Sequence, residues 1–175
     1  MSGVLTIIYD GRGTIAFKIG AERLAGPRAL QVMRETLRAS GDKTRTQVRR
    51  ALKDQTGVKA YGTITRYTRS YVHEGGLAYS VEGVGRGLPI DYFPVRVTGR
   101  GVSASPWRVV HNFKRSFANG GYFARLGPSR FPIRRLYGPS IAKEIVKDQA
   151  LAAFLDAGPR EVARILPMKM ARLLP

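Results

Sequence analysis

Thirty Lys and Arg side chains against twelve Asp and Glu give this chain of 175 residues a formal net charge of +18. That imbalance constrains its folding more than any other feature. Crowded like charges repel, so a compact monomer of this composition carries an electrostatic cost that a polyanion, a neighbouring subunit or bound counterions would relieve. Arg outnumbers Lys, and a planar guanidinium fork pairs well with phosphate and carboxylate. A basic surface that serves solubility alone is the plainer alternative. Cysteine is absent, which removes disulfides, thiolate nucleophiles and thiolate metal ligands together and leaves stability to burial and subunit contacts. The apolar fraction of 43% is enough to build a core. The length suits one domain, with room for terminal extensions. No apolar run reaches the roughly 18 residues of a membrane span. The first residues, with Asp10 and Arg12 among them, do not read as a secretory signal, and the absence of cysteine suits synthesis in the cytoplasm.

The pattern along the chain is mixed. Residues 4–9 (VLTIIY) and 14–19 (TIAFKI) flank a turn at 10–13 (DGRG), which predicts a β-hairpin. Pro27 suits a first helical position. Leu30, Met33 and Leu37 follow at helical spacing, with Ala29 and Thr36 beside them. Val48, Ala51 and Leu52 resume the apolar face beyond Gly41, and Gly57 is a good stop. One long helix bent near Gly41, or two helices, would fit. The opposite face carries Arg34, Arg38, Arg45, Arg49 and Lys53, and residues 22–70 hold twelve basic side chains against four acidic ones.

Residues 61–125 are rich in Gly, Tyr, Val and Thr. Stretches 70–73, 77–81, 95–97, 102–104 and 122–126 read as strands, with Gly75-Gly76 as a tight connection between the first two. Residues 128–139 read as irregular. Residues 141–154 read as a helix broken at Gly158-Pro159, and 161–174 as a last amphipathic segment that Pro167 kinks or shortens. No repeat of fixed period occurs. The expected fold class is α+β: a long N-terminal helix packed on an antiparallel sheet, with an N-terminal β-hairpin and C-terminal helices.

Groups for catalysis are sparse. His73 and His111, the only histidines, fall on different segments and read as ordinary strand and surface residues. No His, Asp or Glu cluster has metal-ligand spacing, and no Gly-x-Ser-x-Gly elbow occurs. Gly83, Gly85 and Gly87 are close together, but the lysine of a phosphate loop is missing and Leu88-Pro89 does not open a helix. The scattered carboxylates read as surface ion pairs. No catalytic, cofactor or metal residue is assigned, and the chain is expected not to be an enzyme.

The basic residues are more informative. Arg45, Arg49 and Lys53 are four apart on one helical face, with Arg50 beside them. That stripe could meet phosphates without reading sequence; a solvated face or one salt-bridged to a neighbour is the alternative. Tyr61, Arg66, Tyr67, Arg69 and Tyr71 interleave aromatic and basic side chains, as in a single-strand stacking platform or, more plainly, a sheet edge. Arg45, Arg49, Arg50, Lys53, Arg66 and Arg69 are therefore the candidate DNA-facing or inter-subunit residues. No complete nucleic-acid-binding module is present.

Residues 130–141 (RFPIRRLYGPSI) form a Pro-anchored connector. This string resembles the (K/R)-x-P-I-x-x-(L/V)-x-G-P-S-(I/V) signature of the prophage minor tail protein Z family, the tail completion proteins of long-tailed bacteriophages. Pro132, Ile133, Leu136, Gly138, Pro139 and Ser140 fill its specified positions, with Arg134 and Tyr137 between them. Residues 87–93 (GLPIDYF), with Pro89, resemble the family's G-(I/L)-P-(L/V)-I-x-F segment. Residues 101–103 (GVS) and 116–117 (SF) resemble its K-G-V-S and A-F elements, and the Arg-rich stretch 44–52 resembles its N-terminal helix. The likeness spans roughly residues 27–147. Residues 117–122 make a shorter loop than many relatives carry, and the stretch before Glu22 is an addition to the pattern.

The resemblance implies a structural virion protein in the tail or neck, acting at the head-proximal end of the tail. It would be a homo-oligomeric ring, sixfold or twelvefold, that helps join tail to head around the DNA path. The implied partners are further copies of the chain, the tail terminator and tail tube proteins, the head–tail connector and genomic DNA in the lumen, with no cofactor and no membrane. It also implies a division into an N-terminal hairpin arm (1–21), a tail-completion α+β domain (22–147) and a C-terminal helical arm (148–175). A soluble, sequence-nonspecific DNA- or RNA-binding protein is the alternative that the charge allows.

Overall fold

Residues Pro27–Thr56 form one helix, α1, in a computed structural model that describes residues 3–8, 27–73 and 77–171. Its buried face runs through Leu37, Ser40, Thr44, Val48, Leu52 and Thr56, spaced three or four apart. Buried hydroxyls are tolerated here because they bond within the helix: Thr44 Oγ1 donates to Ser40 O (2.9 Å) and Thr56 Oγ1 to Leu52 O (2.6 Å). Gly41 does not interrupt the helix. Gly57, at φ +73°, ends it, its N–H donating to Lys53 O at 3.0 Å.

Two shorter helices and a long one follow: α2 (Tyr61–Arg66), α3 (Ile141–Glu144) and α4 (Asp148–Met170). The expected break at Gly158-Pro159 does not occur. A proline disfavours helix at the preceding residue largely through that residue's Cβ, and Gly158 has none. Ala157 and Gly158 are both buried, and α4 packs along α1. The two run antiparallel, since Glu35 reaches Lys169 at one end (3.0 Å) while Gln55 meets Ala150 at the other. Residues 61–66 are helical rather than part of a sheet edge, so the interleaved Tyr and Arg residues are split between α2 and the strand after it.

The strands are all paired antiparallel. β1 (Gly3–Ile8), β2 (Thr68–Val72) and β3 (Ala78–Gly83) form a sheet in the order β1-β3-β2, with Leu5 opposite Val81 and Ser70 also opposite Val81. The pairing of β2 with β3 follows the expected hairpin. The turn at 10–13 and the second strand expected at 14–19 lie outside the described residues, and β1 pairs with β3. β4 (Gly87–Pro89) pairs with β11 (Tyr137–Ser140). β5 (Val95–Thr98), β6 (Gly101–Ala104) and β7 (His111–Lys114) form a third group. β8 (Ser116–Ala118), β9 (Tyr122–Arg125) and β10 (Ile133–Arg135) form the fourth, in the order β10-β9-β8. The stretch 128–139, read as irregular, thus contains β10 and the start of β11. Phe93, Leu52, Ile64, Leu88, Ile90, Ile141, Ile145 and Val81 fill the core between α1 and the strands.

Candidate functional site

The cationic stripe of α1 divides into inward and outward members. Arg45 Nη1 donates to Ser70 Oγ (2.8 Å) and to the Tyr79 hydroxyl (3.3 Å), and pairs with Asp42 Oδ1 (3.0 Å). One turn on, Arg49 Nε donates to Thr68 Oγ1 (2.6 Å) and Nη2 to Thr68 O (3.1 Å). Thr68 Oγ1 in turn donates to Ile64 O (2.8 Å). Arg45 and Arg49 therefore hold α1 to β2 and β3. Burial first, and the neighbouring Arg45 second, lower the Arg49 pKa; the guanidinium remains a cation. Lys53 is half-buried on the same face, while Arg50, Arg66 and Arg69 are exposed. The four-residue spacing put Arg45 and Arg49 on one face, but that face looks onto the sheet rather than away from it.

The segments that carry the family resemblance meet in pairs. β4 lies against β11, with Tyr137 opposite Pro89 and Ser140 opposite Gly87. Ile90 N donates to Leu136 O (3.2 Å), and Arg135 Nη2 pairs with Asp91 Oδ2 (2.7 Å). Gly138 rests on the Phe93 ring so closely that a Cβ there would lie 2.8 Å from Phe93 Cε2. Leu136 and Pro139 are buried, while Tyr137, Ile133, Arg134 and Pro132 are exposed. The second pair is joined by Ser116. Its Oγ accepts from Val102 N (2.7 Å) and donates to Phe113 O, and a Cβ on Gly101 would fall 2.9 Å from that same oxygen. Residues 87–93 thus dock on 136–140, and 101–103 dock on 116.

A denser charge asymmetry lies further along the chain than the α1 stripe. Between Asp91 and Glu144 there is no Asp or Glu, and there are ten Lys or Arg. This window holds β5 to β11. The sheet β10-β9-β8 presents a face on which Phe117 and Phe123 stack, with ring centroids 6.1 Å apart and planes 27° apart. The Arg125 guanidinium sits over Phe117, 5.2 Å from the ring centroid. Counting basic residues alone hides this face; the run without a carboxylate is the signal that would have found it.

The acidic groups are largely engaged. Asp54 pairs with Arg108 (2.7 Å), Asp156 with Arg160 (2.9 Å) and Glu161 with Arg164 (2.5 Å). Buried Glu144 accepts from Gln55 Nε2 (2.9 Å). His73 Nε2 lies 2.6 Å from Ser80 Oγ, and the exposed His111 stands edge-on to Trp107 at 6.0 Å. Among the described residues no group of three or more His, Asp or Glu could hold a metal ion, and no helix is long and apolar enough to cross a membrane. No family model matches the chain, nor does any curated protein or solved structure.

Proposed function

We propose that the chain is a non-catalytic structural subunit of a long bacteriophage tail. It would sit at the head-proximal neck as a ring that helps join tail to head around the DNA path. What supports this reading is the pairwise docking of the segments that resemble tail completion proteins. Residues 87–93 clasp 136–140, Val102 N donates to Ser116 Oγ, and Gly101 lies close against that oxygen. Chance likeness among scattered strings carries no requirement that the strings touch. A shared fold does, because each string then supplies one side of the same junction.

The charge fits such a place. A ring around DNA needs no base reading, only a wall that does not repel phosphates, and neighbouring subunits in a closed ring meet through heterologous contacts. Arg45 and Arg49 are used inside the subunit. Arg50, Arg66 and Arg69 are exposed and are the members of the set free to face DNA or a neighbouring copy. Cross-linking mass spectrometry on phage particles from the source tests the reading. Links to a tail terminator, tail tube or head connector are expected. Absence of the chain from particles, or its recovery only with cellular nucleic acid, overturns it.

A further inference from the structure

We propose that the outward face of the β10-β9-β8 sheet binds single-stranded nucleic acid, stacking unpaired bases on a layered Phe–Arg platform and pairing phosphates with the arginines around it. The register defines the face. Phe117 is opposite Phe123, and Phe123 is opposite Arg135, so all three stand on one side of the sheet. Arg125 and its partner Ile133 are two residues along on β9 and β10 and share that side. The other side is turned inward: Ala124 is buried and Tyr122 packs against the core.

On the outward side, the Phe123 ring, the Phe117 ring and the Arg125 guanidinium form a pile of planar groups. Arg125, Ile133 and Arg135 are exposed and Phe117 and Phe123 are half-buried, so part of the pile is open to solvent. Aromatic rings and guanidinium planes are the two stacking partners that proteins offer to unpaired bases. A duplex keeps its base faces inside its own stack, so this platform favours a single strand. The charge is complementary. The sheet belongs to the stretch with ten Lys or Arg and no carboxylate, and of the arginines on the face Arg135 is met by Asp91. Arg125 and, at the sheet's edge, Arg115 are exposed cations left to phosphates.

The inference does not rest on the tail reading; either can hold without the other. Fluorescence anisotropy on the purified chain decides it, using labelled oligo-dT, an abasic strand of the same length and a duplex of the same length. The strand with bases should bind about tenfold tighter, or more, than the abasic strand, as expected from stacking even one or two bases. The double variant Arg115→Gln/Arg125→Gln should weaken oligo-dT binding about tenfold or more. Arg38→Gln/Lys43→Gln, which removes the same charge from α1, should weaken it less than about threefold. Equal affinity for the abasic strand, a preference for duplex, or an equal loss from the α1 pair overturns the proposal. All four substituted residues are exposed, so loss of folding does not stand between the variants and the answer.

Discussion

The Tyr79 ring lies directly on the backbone of α1 at Gly41: a Cβ built on Gly41 would fall 2.5 Å from Tyr79 Cδ2 and 2.6 Å from Cδ1. The contact explains why a glycine stands inside a thirty-residue helix, where it lowers helix propensity by about 1 kcal/mol relative to Ala. Tyr79 is 2% exposed and its hydroxyl donates to Asp42 Oδ1 (2.7 Å), so the ring is held from both ends and cannot swing away. Gly41→Ala should therefore destabilise by about 2 kcal/mol, the range for overpacking a core, despite the gain in propensity. Gly62→Ala in α2, where a Cβ meets nothing within 4 Å, should be neutral or stabilise by up to about 1 kcal/mol. The urea midpoint should fall for Gly41→Ala and hold or rise for Gly62→Ala.

The same ring makes stability depend on alkaline pH. Burial first, and the hydrogen bond to Asp42 after it, raise the Tyr79 pKa above the ordinary tyrosine value. A raised folded-state value means that the folded chain holds the proton more tightly than the unfolded chain. The resulting stability is complete below the unfolded value, near pH 10, and is lost as pH rises beyond it. Urea unfolding of the native chain should show stability falling more steeply above about pH 10 than in Tyr79→Phe. The variant should also be weaker at neutral pH by about 1 kcal/mol, for the hydrogen bonds lost at Asp42 and Arg45. Equal alkaline slopes would show that Tyr79 titrates normally.

Neighbouring arginines on α1 should behave differently. Arg49→Ala removes both donors from Thr68 and should cost about 1–3 kcal/mol of stability. Arg50→Ala, on the exposed side, should change stability by less than about 0.5 kcal/mol. If Arg50 faces DNA or a neighbouring subunit, its loss shows instead as weaker assembly or a shallower salt dependence of DNA binding. Thermal melts and DNA titrations on the two variants separate the roles.

Periodicity made α1 legible, because a buried row three or four residues apart persists over its whole length. The same rule grouped Arg45 with Arg49 but put them on the face opposite the apolar one, whereas both turn onto the sheet. Ser70 and Thr68 decide that, and they come from a strand that local pattern does not align with the helix. Gly158-Pro159 is a strong local stop signal, and burial of Ala157 and Gly158 in a helix packed along α1 overrode it. The short helix α2 leaves too few residues for a period to register. The docking of 87–93 on 136–140 joins strands far apart in the chain, which no local signal encodes. The Phe117–Phe123–Arg125 platform is of the same kind: its members come from two strands, and only the register brings them to one face.

Gln55 ties both ends of the α3–α4 junction to α1. Its Nε2 donates to Glu144 O (3.1 Å) and Glu144 Oε2 (2.9 Å), and its Oε1 accepts from Ala150 N (3.0 Å). Lys147, at the N-cap of α4, supplies no side-chain acceptor, so a residue of another helix does the capping. Gln55→Ala should leave the carboxylate of Glu144, only 7% exposed, and the Ala150 N–H without these partners, at a cost of about 2 kcal/mol. Gln55→Glu keeps the size but replaces the donating amide with a second carboxylate, and like charges this close repel. Its penalty should exceed that of Gln55→Ala at neutral pH and shrink on acidification, as the introduced carboxyl takes up a proton. Urea unfolding at neutral and mildly acidic pH reads the penalty. Amide hydrogen exchange at Ala150 localises it: protection there should fall in both variants by more than the global loss of stability accounts for. If Ala150 merely follows global unfolding, the start of α4 is held by burial of Ala150 and Phe154 rather than by the glutamine.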